Sequence, residues 1–271
     1  MTAALAARLT TTFLGVYFVQ SSAELIVRRD AMSHRGLLAW PVQSLAARPL
    51  IARPFTGLAN ALLNYPQVLA VVSCRLVAGL FLIAGIVLPR SVYIASLFVA
   101  SISSLLLSYR HAYGGDGADQ MALILSLALT LGHAFDSREG ISYVLVFVAF
   151  QVILAYETAG IAKITSPRWR NGSGFAGIIA THSYGSPWLR RAIRRSTLVP
   201  LVMSWGIMLW LTTFAIAFSL GGWFLLGALA VGMCFHIGNA LVMRLHTFLW
   251  VFPSAYPALY YVREFWLLKI R

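Results

Sequence analysis

Long apolar stretches alternate with short polar breaks along almost the whole chain. A helix that crosses a lipid bilayer needs about 20 mostly apolar residues, and several stretches reach that length. The segments predicted as spans are 4–23, 67–88, 91–109, 120–135, 141–162, 198–219, 222–243 and 246–262. The sequence therefore predicts an all-α integral membrane protein, a polytopic helical bundle of about seven or eight transmembrane helices.

Composition and charge support the same class. Hydrophobic residues make up 59% of the 271 positions and charged residues only 11%, whereas a soluble domain has about 25% charged residues. A soluble enzyme, a disordered chain and a nucleic-acid-binding protein are therefore excluded. The net charge of +13 lies mainly between the apolar segments, where basic residues set topology and meet anionic headgroups. We expect a multi-pass protein of the cell membrane, with the lipid bilayer as its first partner.

Two connections are longer than turns and rich in arginine. The segment 28–66 also holds a tryptophan and several prolines, which favour short interfacial helices over a span. The segment 163–200 carries seven basic residues. Both follow odd-numbered spans, so the positive-inside rule places them in the cytoplasm and the N-terminus outside. If the short fourth segment re-enters instead of crossing, the two loops lie on opposite sides.

The chain otherwise reads as a single membrane domain over residues 1–271. No polar stretch is long enough to fold separately. We expect no cleavable signal peptide, because Arg8 is the only basic residue before the first apolar stretch runs on. Cys74 and Cys234 lie in separate apolar segments without a CxxC motif, which excludes a disulfide framework and a cysteine-rich metal site.

Two aspartates precede the fourth span in a glycine-rich stretch. Asp116 and Asp119 stand where a helix N-terminus welcomes carboxylates, and we expect capping to explain one of them. The adjacent glycines permit close approach of the backbone to a ligand. A metal site from these carboxylates is a weak candidate, because no clustered histidines accompany them. We therefore expect no metal.

Polar groups inside apolar spans are costly and are the first functional candidates. Arg75 lies in the second span, Glu157 in the fifth and Glu24 at the end of the first. We interpret Arg75 as paired with Glu157 or Glu24 in a structural ion pair that holds helices in register. His236 and Asn239 share one helix face in the seventh span. An interhelical hydrogen bond and a functional role explain these two equally well.

The densest group of chemically able residues begins near the end of the fifth span. It comprises Tyr156, Glu157, Lys163, Trp169, Asn171, Gly172, His182 and Trp188. Lys163 ends an apolar helix, where the common role of a lysine is to carry its ammonium to the interface. A lysine held in an apolar pocket can instead lose its proton near neutral pH and act as a base or nucleophile.

At this group the sequence resembles a known family. It is similar to the horizontally transferred transmembrane (HTTM) domain, which is shared with the membrane part of vitamin K-dependent gamma-carboxylase. The motifs are, in order, Tyr156 with Ala159-Gly160 and Lys163, then Trp169-Arg170-Asn171-Gly172, then Ser186-Pro187-Trp188. The stretches 115–119 and 235–239 fit the same family in the right order, the second followed by Thr247-Phe248 and Pro253. The resemblance covers residues 67–262 by pattern.

The resemblance implies a carboxylase-like fold and a lysine-based reaction. In the carboxylases, the lysine before the tryptophan deprotonates a reduced quinone, whose reaction with oxygen yields a strong base that removes a proton from a peptide glutamate. By resemblance, Lys163 would be that catalytic base, and His236 and Asn239 would be catalytic residues that hydrogen-bond the quinone. The substrate-binding or cofactor-binding candidates are Tyr156, Trp169, Asn171, Gly172, His182, Asp116 and Asp119. The implied cofactor is a reduced, vitamin K-like quinone.

The sequence also departs from the carboxylases in ways that point to a partner. It has Ala162-Lys163 where they have two lysines, and it has no large soluble region for a client before Arg271. Short members are similar to the sporulation-delaying protein B family, which helps a secreted peptide toxin mature beside a soluble partner. We therefore expect quinone-linked modification or maturation of a secreted peptide, with a soluble or membrane partner protein. A non-enzymatic helper for toxin maturation or export, and a structural subunit of a quinone oxidoreductase, remain open alternatives.

Overall fold

The structure is a computed structural model that describes residues 1–47, 55–110, 115–134 and 138–267. All regular structure in these ranges is helical, without a β-strand, so the predicted all-helical fold is confirmed. The helices are α1 Ala3–Val27, α2 Trp40–Ala47, α3 Thr56–Leu63, α4 Val68–Ile83, α5 Arg90–Arg110, α6 Gly117–Ala134, α7 Arg138–Ile164, α8 Pro167–Arg170, α9 Ser173–Ala180, α10 Pro187–Arg195, α11 Leu198–Leu220, α12 Gly222–Met243, α13 His246–Ser254 and α14 Tyr256–Tyr261.

Four helices in the described ranges are long and apolar enough to cross a membrane. They are α5, α7 from Glu139, α11 and α12, which match the predicted spans 91–109, 141–162, 198–219 and 222–243. Together α3 and α4 would add a fifth span, broken by a bend of 78°. Helices of this length and composition indicate a membrane protein. The larger number of spans stays a prediction.

The last predicted span, 246–262, is not one continuous helix. Its residues form α13, α14 and the first residue of a π-helical turn over Val262–Trp266. Pro253 lies in the last turn of α13, and Pro257 lies in the first turn of α14. A proline removes an N–H donor and favours the start of a helix over its interior. The two prolines thus account for the break between α13 and α14.

The chain divides into two compact units, which we call the N-terminal unit (residues 2–144) and the C-terminal unit (residues 145–271). In the N-terminal unit, α1 packs along α4 and α4 packs against α5. The predicted interfacial segment before α4 forms a 3-10 turn, α2 and α3 in its described part. Arg48 and Arg53, which belong to the same prediction, lie outside the described residues.

Two arginines secure chain turns in the N-terminal unit. Arg8 on α1 donates to carbonyl oxygens in the turn 85–88 that follows α4. Arg110 at the end of α5 is fully buried and donates to the carbonyl oxygens of Met32, Leu38 and Leu63. Carbonyls at helix ends and turns lack a partner within the helix, and in lipid the protein must supply one. These basic residues therefore satisfy the backbone inside the unit.

The C-terminal unit is built on α7, α11 and α12, and α11 and α12 form a hairpin. Arg263 donates to the carbonyl oxygens of residues 218–220 at the C-terminus of α11. Glu264 Oε1 accepts the amide of Gly222 at the N-terminus of α12, at 2.8 Å. A cation at a helix C-terminus and an anion at a helix N-terminus both complement the helix dipoles. We call Arg263 and Glu264 the hairpin clamp.

The opposite end of the hairpin is covered by α8, α9 and α10. Phe175, Ile179 and Leu189 form a small buried cluster there. Trp169 after α7, Val199 at the start of α11 and the last residues of α12, Val242 and Met243, pack against it. The C-termini of α7 and α12 and the N-terminus of α11 therefore lie at one end of the C-terminal unit.

Candidate functional site

A buried chain of hydrogen-bonding rings lies inside the C-terminal unit. Tyr156 on α7 and His236 on α12 are 3% and 1% exposed, and Tyr156 Oη lies 2.9 Å from His236 Nε2. Tyr256, the first residue of α14, brings a second phenol whose Oη lies 3.4 Å from Tyr156 Oη. Three helices thus bring polar groups to one point. We call these three residues the buried ring cluster.

The close approach of α14 to α12 depends on a glycine. Gly232 lies one helical turn before His236, and a Cβ atom at Gly232 would overlap with the hydroxyl of Tyr256. The same Cβ would come within 2.8 Å of Trp210 Cζ2 on α11. Trp210 Nε1 in turn donates to the carbonyl oxygen of Ala228 on α12, at 3.1 Å. The small residue therefore lets two aromatic side chains seat against the α12 backbone.

Other aromatic rings enclose the polar atoms of the cluster. The ring of Phe252 stacks on His236 at 5.1 Å between centroids and on Tyr156 at 5.6 Å. Trp210 and Phe214 contact the ring of Tyr156 at 4.9 Å and 4.8 Å. Aromatic rings at these separations gain both from burial and from their ring geometry. The polar atoms of Tyr156 and His236 are therefore surrounded by aromatic rings and few other polar atoms.

One of those polar atoms lacks a partner. His236 Nδ1 is buried and has no hydrogen-bond partner among the described residues. A buried polar atom without a hydrogen bond costs about 1–3 kcal/mol, and such atoms in native structures call for an explanation such as a bound group or water. A neutral imidazole has one donor and one acceptor nitrogen. Since Tyr156 engages Nε2, Nδ1 can offer one directed hydrogen bond of the complementary kind.

Lys163 lies on the same helix as Tyr156, two turns nearer its C-terminus. Seven residues of α-helix correspond to about 10 Å along the axis. The Lys163 ammonium is half-buried, lies 3.3 Å from the carbonyl oxygen of Ala159, and is 5.2 Å from the ring centroid of Trp169. Both contacts are attractive for a positively charged group. The lysine therefore rests along the end of its own helix in this structure.

Asn239 follows the cluster histidine by one turn on α12 and is half-buried. The remaining candidates of this unit belong to the loop between α8 and α9 and to the residues that follow α9. Asn171 Oδ1 accepts the amide of Ser173 at 2.9 Å, and Gly172 has a φ of +80°. His182 is exposed. The contacts of Asn171 and the backbone of Gly172 are those of a tight turn that starts α9.

Asp116 and Asp119 lie in the N-terminal unit, at the start of α6. Asp116 Oδ1 accepts the amides of Ala118 and Asp119 at 2.9 Å and 3.0 Å, and Asp119 Oδ2 accepts the amide of Asp116 at 3.4 Å. This reciprocal pattern is a capping box. The expectation that capping explains only one aspartate is wrong, and Asp119 also accepts the Tyr17 hydroxyl at 2.5 Å. No three His, Cys, Asp or Glu residues in the described ranges could hold a metal ion.

The charged residues predicted to pair have partners within their own units. Arg75 is buried in the N-terminal unit, where Nε donates to Ser22 Oγ at 2.9 Å and Nη2 donates to Ser21 Oγ at 3.1 Å. Glu157 accepts a backbone amide of α11 in the C-terminal unit, at 2.8 Å. Glu24 is exposed. The ion pair of Arg75 with Glu157 or Glu24 stays a prediction.

Tyr256 belongs to the buried ring cluster but carries no motif in the sequence that marks it as a site residue. It is one of 11 tyrosines and lies in a segment predicted as a plain span. The only local signal was its position between Pro253 and Pro257, which mark a helix break. The aromatic residues around the buried ring cluster were equally hidden, because aromatic side chains are common throughout the apolar segments.

No family model, no curated protein and no solved structure matches the chain significantly. The resemblance to the HTTM domain thus depends on the sequence motifs alone.

Proposed function

We propose that this chain is an integral membrane enzyme of the carboxylase-like HTTM class, with about seven or eight spans, in the cell membrane. It uses a reduced quinone and Lys163 as a base to modify or mature a secreted peptide, together with a partner protein. The observation that supports this most directly is the unpartnered His236 Nδ1 within an aromatic surround. A quinone is a flat ring with oxygen atoms at its edge, and it needs both features.

The described residues supply the kinds of group that a quinone binds. His236 Nδ1 offers a hydrogen bond to one oxygen atom, and the aromatic side chains around it form an apolar lining. Asn239, one turn farther along α12, carries a second hydrogen-bonding group on the same helix face. An apolar helical unit accommodates a lipid-like tail. When bound, the reduced quinone supplies, through its reaction with oxygen, the strong base that proton removal from a peptide glutamate requires.

The role of the buried ring cluster is to orient the hydrogen bond. If Tyr156 donates to His236 Nε2, the proton of the neutral imidazole is on Nδ1, which then donates; if Nε2 donates to Tyr156, Nδ1 accepts. Tyr256 places a second hydroxyl 3.4 Å from that of Tyr156, at the edge of hydrogen-bonding distance. The cluster thereby sets whether a ligand oxygen is met by a donor or by an acceptor.

Lys163 is the residue that takes up a proton. As an ammonium it is held by the Ala159 carbonyl and the Trp169 ring. A neutral amine loses the attraction of the ring, which acts on a cation. The flexible four-carbon stem then allows the amine to leave the end of α7 and accept a proton from a hydroxyl group. The lysine is therefore held by contacts that depend on its own charge.

A second function is favoured by the same contacts of Lys163. An ammonium that rests on a tryptophan at the end of an apolar helix is also typical of an interfacial anchor. In that case the chain is a non-enzymatic helper for maturation or export of a peptide toxin, or a structural subunit of a quinone oxidoreductase.

Oxygen-dependent conversion of a reduced naphthoquinone to its epoxide tests the two functions. Membranes that contain wild type, Lys163→Ala or Arg35→Ala are compared at equal protein levels. Arg35 is an exposed basic residue of the N-terminal unit, is not a candidate site residue, and serves as the matched control. Removal of a general base lowers the rate by about 10²–10⁴-fold, so we expect that loss in Lys163→Ala and wild-type turnover in Arg35→Ala.

Two results would contradict the enzymatic proposal. Turnover that is unchanged in Lys163→Ala would remove the lysine as the base. An absence of turnover in wild type, with the partner protein present, would favour the helper.

A further inference from the structure

One end of the C-terminal unit exposes positive charge without negative charge. Its exposed arginines are Arg168, Arg170, Arg191, Arg194, Arg195 and Arg244. We call this set the arginine face. The sequence contains no aspartate and no glutamate from Thr158 to Arg263. The face therefore has no carboxylates of its own segment to neutralise it.

Packing of α10 directs its arginines outward. Leu189 is buried in the cluster with Phe175, and Ile193 packs against the same cluster. This leaves Arg191, Arg194 and Arg195 on the exposed side of the helix. Arg190, on the inner side, is only half-exposed and donates to a carbonyl oxygen at the end of α9. The helix therefore separates a structural arginine from three arginines that face outward.

The arginine face lies beside the ends of three candidate spans. Arg195 is three residues before α11, Arg244 directly follows α12, and Arg168 is four residues after α7. Residues this close to the end of a span lie at the level of the lipid headgroups. Trp188 on α10 is 58% exposed, and tryptophan is enriched at that level of the membrane. The charge of the arginine face and its position beside the span ends thus both indicate that it lies in the headgroup region.

Arg244 places a basic residue at this end in a backbone conformation that usually favours glycine. Its φ of 60° lies in the left-handed region, and it is the only residue other than glycine with a positive φ in the described ranges. Glycine or asparagine is the usual residue at such a helix C-terminus. An arginine there brings a charge to the arginine face at a position where glycine would fit the backbone more easily.

We propose that the arginine face is a binding site for anionic glycerophospholipids, which it recognises through their phosphodiester headgroups. A guanidinium group forms two parallel hydrogen bonds to phosphate oxygens, and several of them together select negatively charged lipids. The apolar spans directly beside the face receive the acyl chains. An acidic peptide has complementary charge too, but the exposed tryptophan and the adjoining span ends favour a lipid. This inference does not depend on the proposed quinone chemistry.

Lipid retention by the full chain in detergent micelles tests the site. Native mass spectrometry compares phosphatidylglycerol with phosphatidylcholine of the same acyl chains, for wild type and for the triple variant Arg191→Gln, Arg194→Gln, Arg195→Gln. We expect wild type to prefer phosphatidylglycerol. Each basic residue beside an anionic surface contributes roughly a factor of five to affinity. The triple variant should therefore bind phosphatidylglycerol on the order of a hundred-fold more weakly.

A control variant removes the same charge elsewhere. Arg28→Gln, Arg29→Gln, Arg35→Gln changes three exposed arginines of the N-terminal unit, and its affinity should stay close to that of wild type. A second variant, Arg191→Lys, Arg194→Lys, Arg195→Lys, keeps the charge and loses the two parallel hydrogen bonds that a guanidinium group forms. We expect its affinity for phosphatidylglycerol to lie between those of wild type and the glutamine variant. If the glutamine variant fails to fold, the lysine variant still tests the site, because an affinity equal to that of wild type would contradict recognition by guanidinium groups.

Four outcomes would overturn the proposal. The first two are equal retention of both lipids by wild type and an equal loss in the glutamine and control variants. The third is displacement of the lipid by low concentrations of a soluble polyglutamate peptide. The fourth is displacement by inorganic phosphate alone, which would identify a free-anion site.

Discussion

Replacement of Tyr156 by phenylalanine removes only the hydroxyl that lies 2.9 Å from His236 Nε2. The aromatic ring remains and keeps its contacts with Trp210 and Phe214. The imidazole is then left with both nitrogens buried and without a partner, since Nδ1 has none among the described residues. A buried polar atom left in this state costs about 1–3 kcal/mol. We therefore expect the substitution to destabilise the protein by about that amount.

The share of that loss due to the hydrogen bond itself follows from a double-mutant cycle. Cycles in membrane proteins give interhelical hydrogen bonds about 0.6 kcal/mol on average and about 1.7 kcal/mol at most. The present bond joins groups that are 3% and 1% exposed, so water does not compete for it. We expect a coupling free energy near the upper limit, about 1–1.7 kcal/mol.

The assay is equilibrium unfolding in mixed micelles with increasing denaturing detergent. The proteins compared are wild type, Tyr156→Phe, His236→Phe and the double variant. Tyr256→Phe serves as a control for loss of a phenol, because its hydroxyl contact at 3.4 Å is long and should couple weakly. The losses in unfolding free energy of Tyr156→Phe and His236→Phe are added and compared with the loss in the double variant. Agreement within about 0.3 kcal/mol would show that the hydrogen bond contributes nothing to stability. The cluster would then be a packing feature only.

Three further substitutions test other contacts. Arg110→Leu leaves three backbone carbonyls without their donor, so we expect a loss of about 2–4 kcal/mol in the same unfolding assay; stability equal to wild type would show that other donors replace it. Gly232→Ala forces Tyr256 away from α12, and overpacking of this kind costs about 1–3 kcal/mol; an unchanged near-ultraviolet circular dichroism spectrum would contradict that clash. Arg75→Leu removes the charge beside Asp119, so expression and melting temperature should fall; a stable but inactive variant would instead make Arg75 functional.

The sequence was informative wherever an apolar run was long and unbroken. Each of the four candidate spans α5, α7, α11 and α12 was predicted within a few residues, because a run of about 20 apolar residues has few other solutions. The last span was predicted as one helix because average hydropathy ignores the two prolines near Ala255, which interrupt the hydrogen-bond ladder.

The candidate site was predictable residue by residue but not as an assembly. Tyr156 and His236 were both singled out from the sequence, and the structure joins them directly. Helical spacing shows which residues of one helix share a face, but not which helices meet. Asp119 illustrates the same limit, since its bond to Tyr17 connects positions 102 residues apart. No local pattern encodes such a contact.

The hairpin clamp has a consequence for how the chain is made. Arg263 lies 43 residues after Leu220, whose carbonyl oxygen it binds. During translation, α11 and the turn into α12 are therefore synthesised before the side chains that hold this turn exist. Until then, water must hydrate the exposed carbonyl oxygens of the turn, because the hydrocarbon core of the bilayer offers no donor. The turn thus has to wait at an aqueous surface until the segment that carries Arg263 and Glu264 has been synthesised.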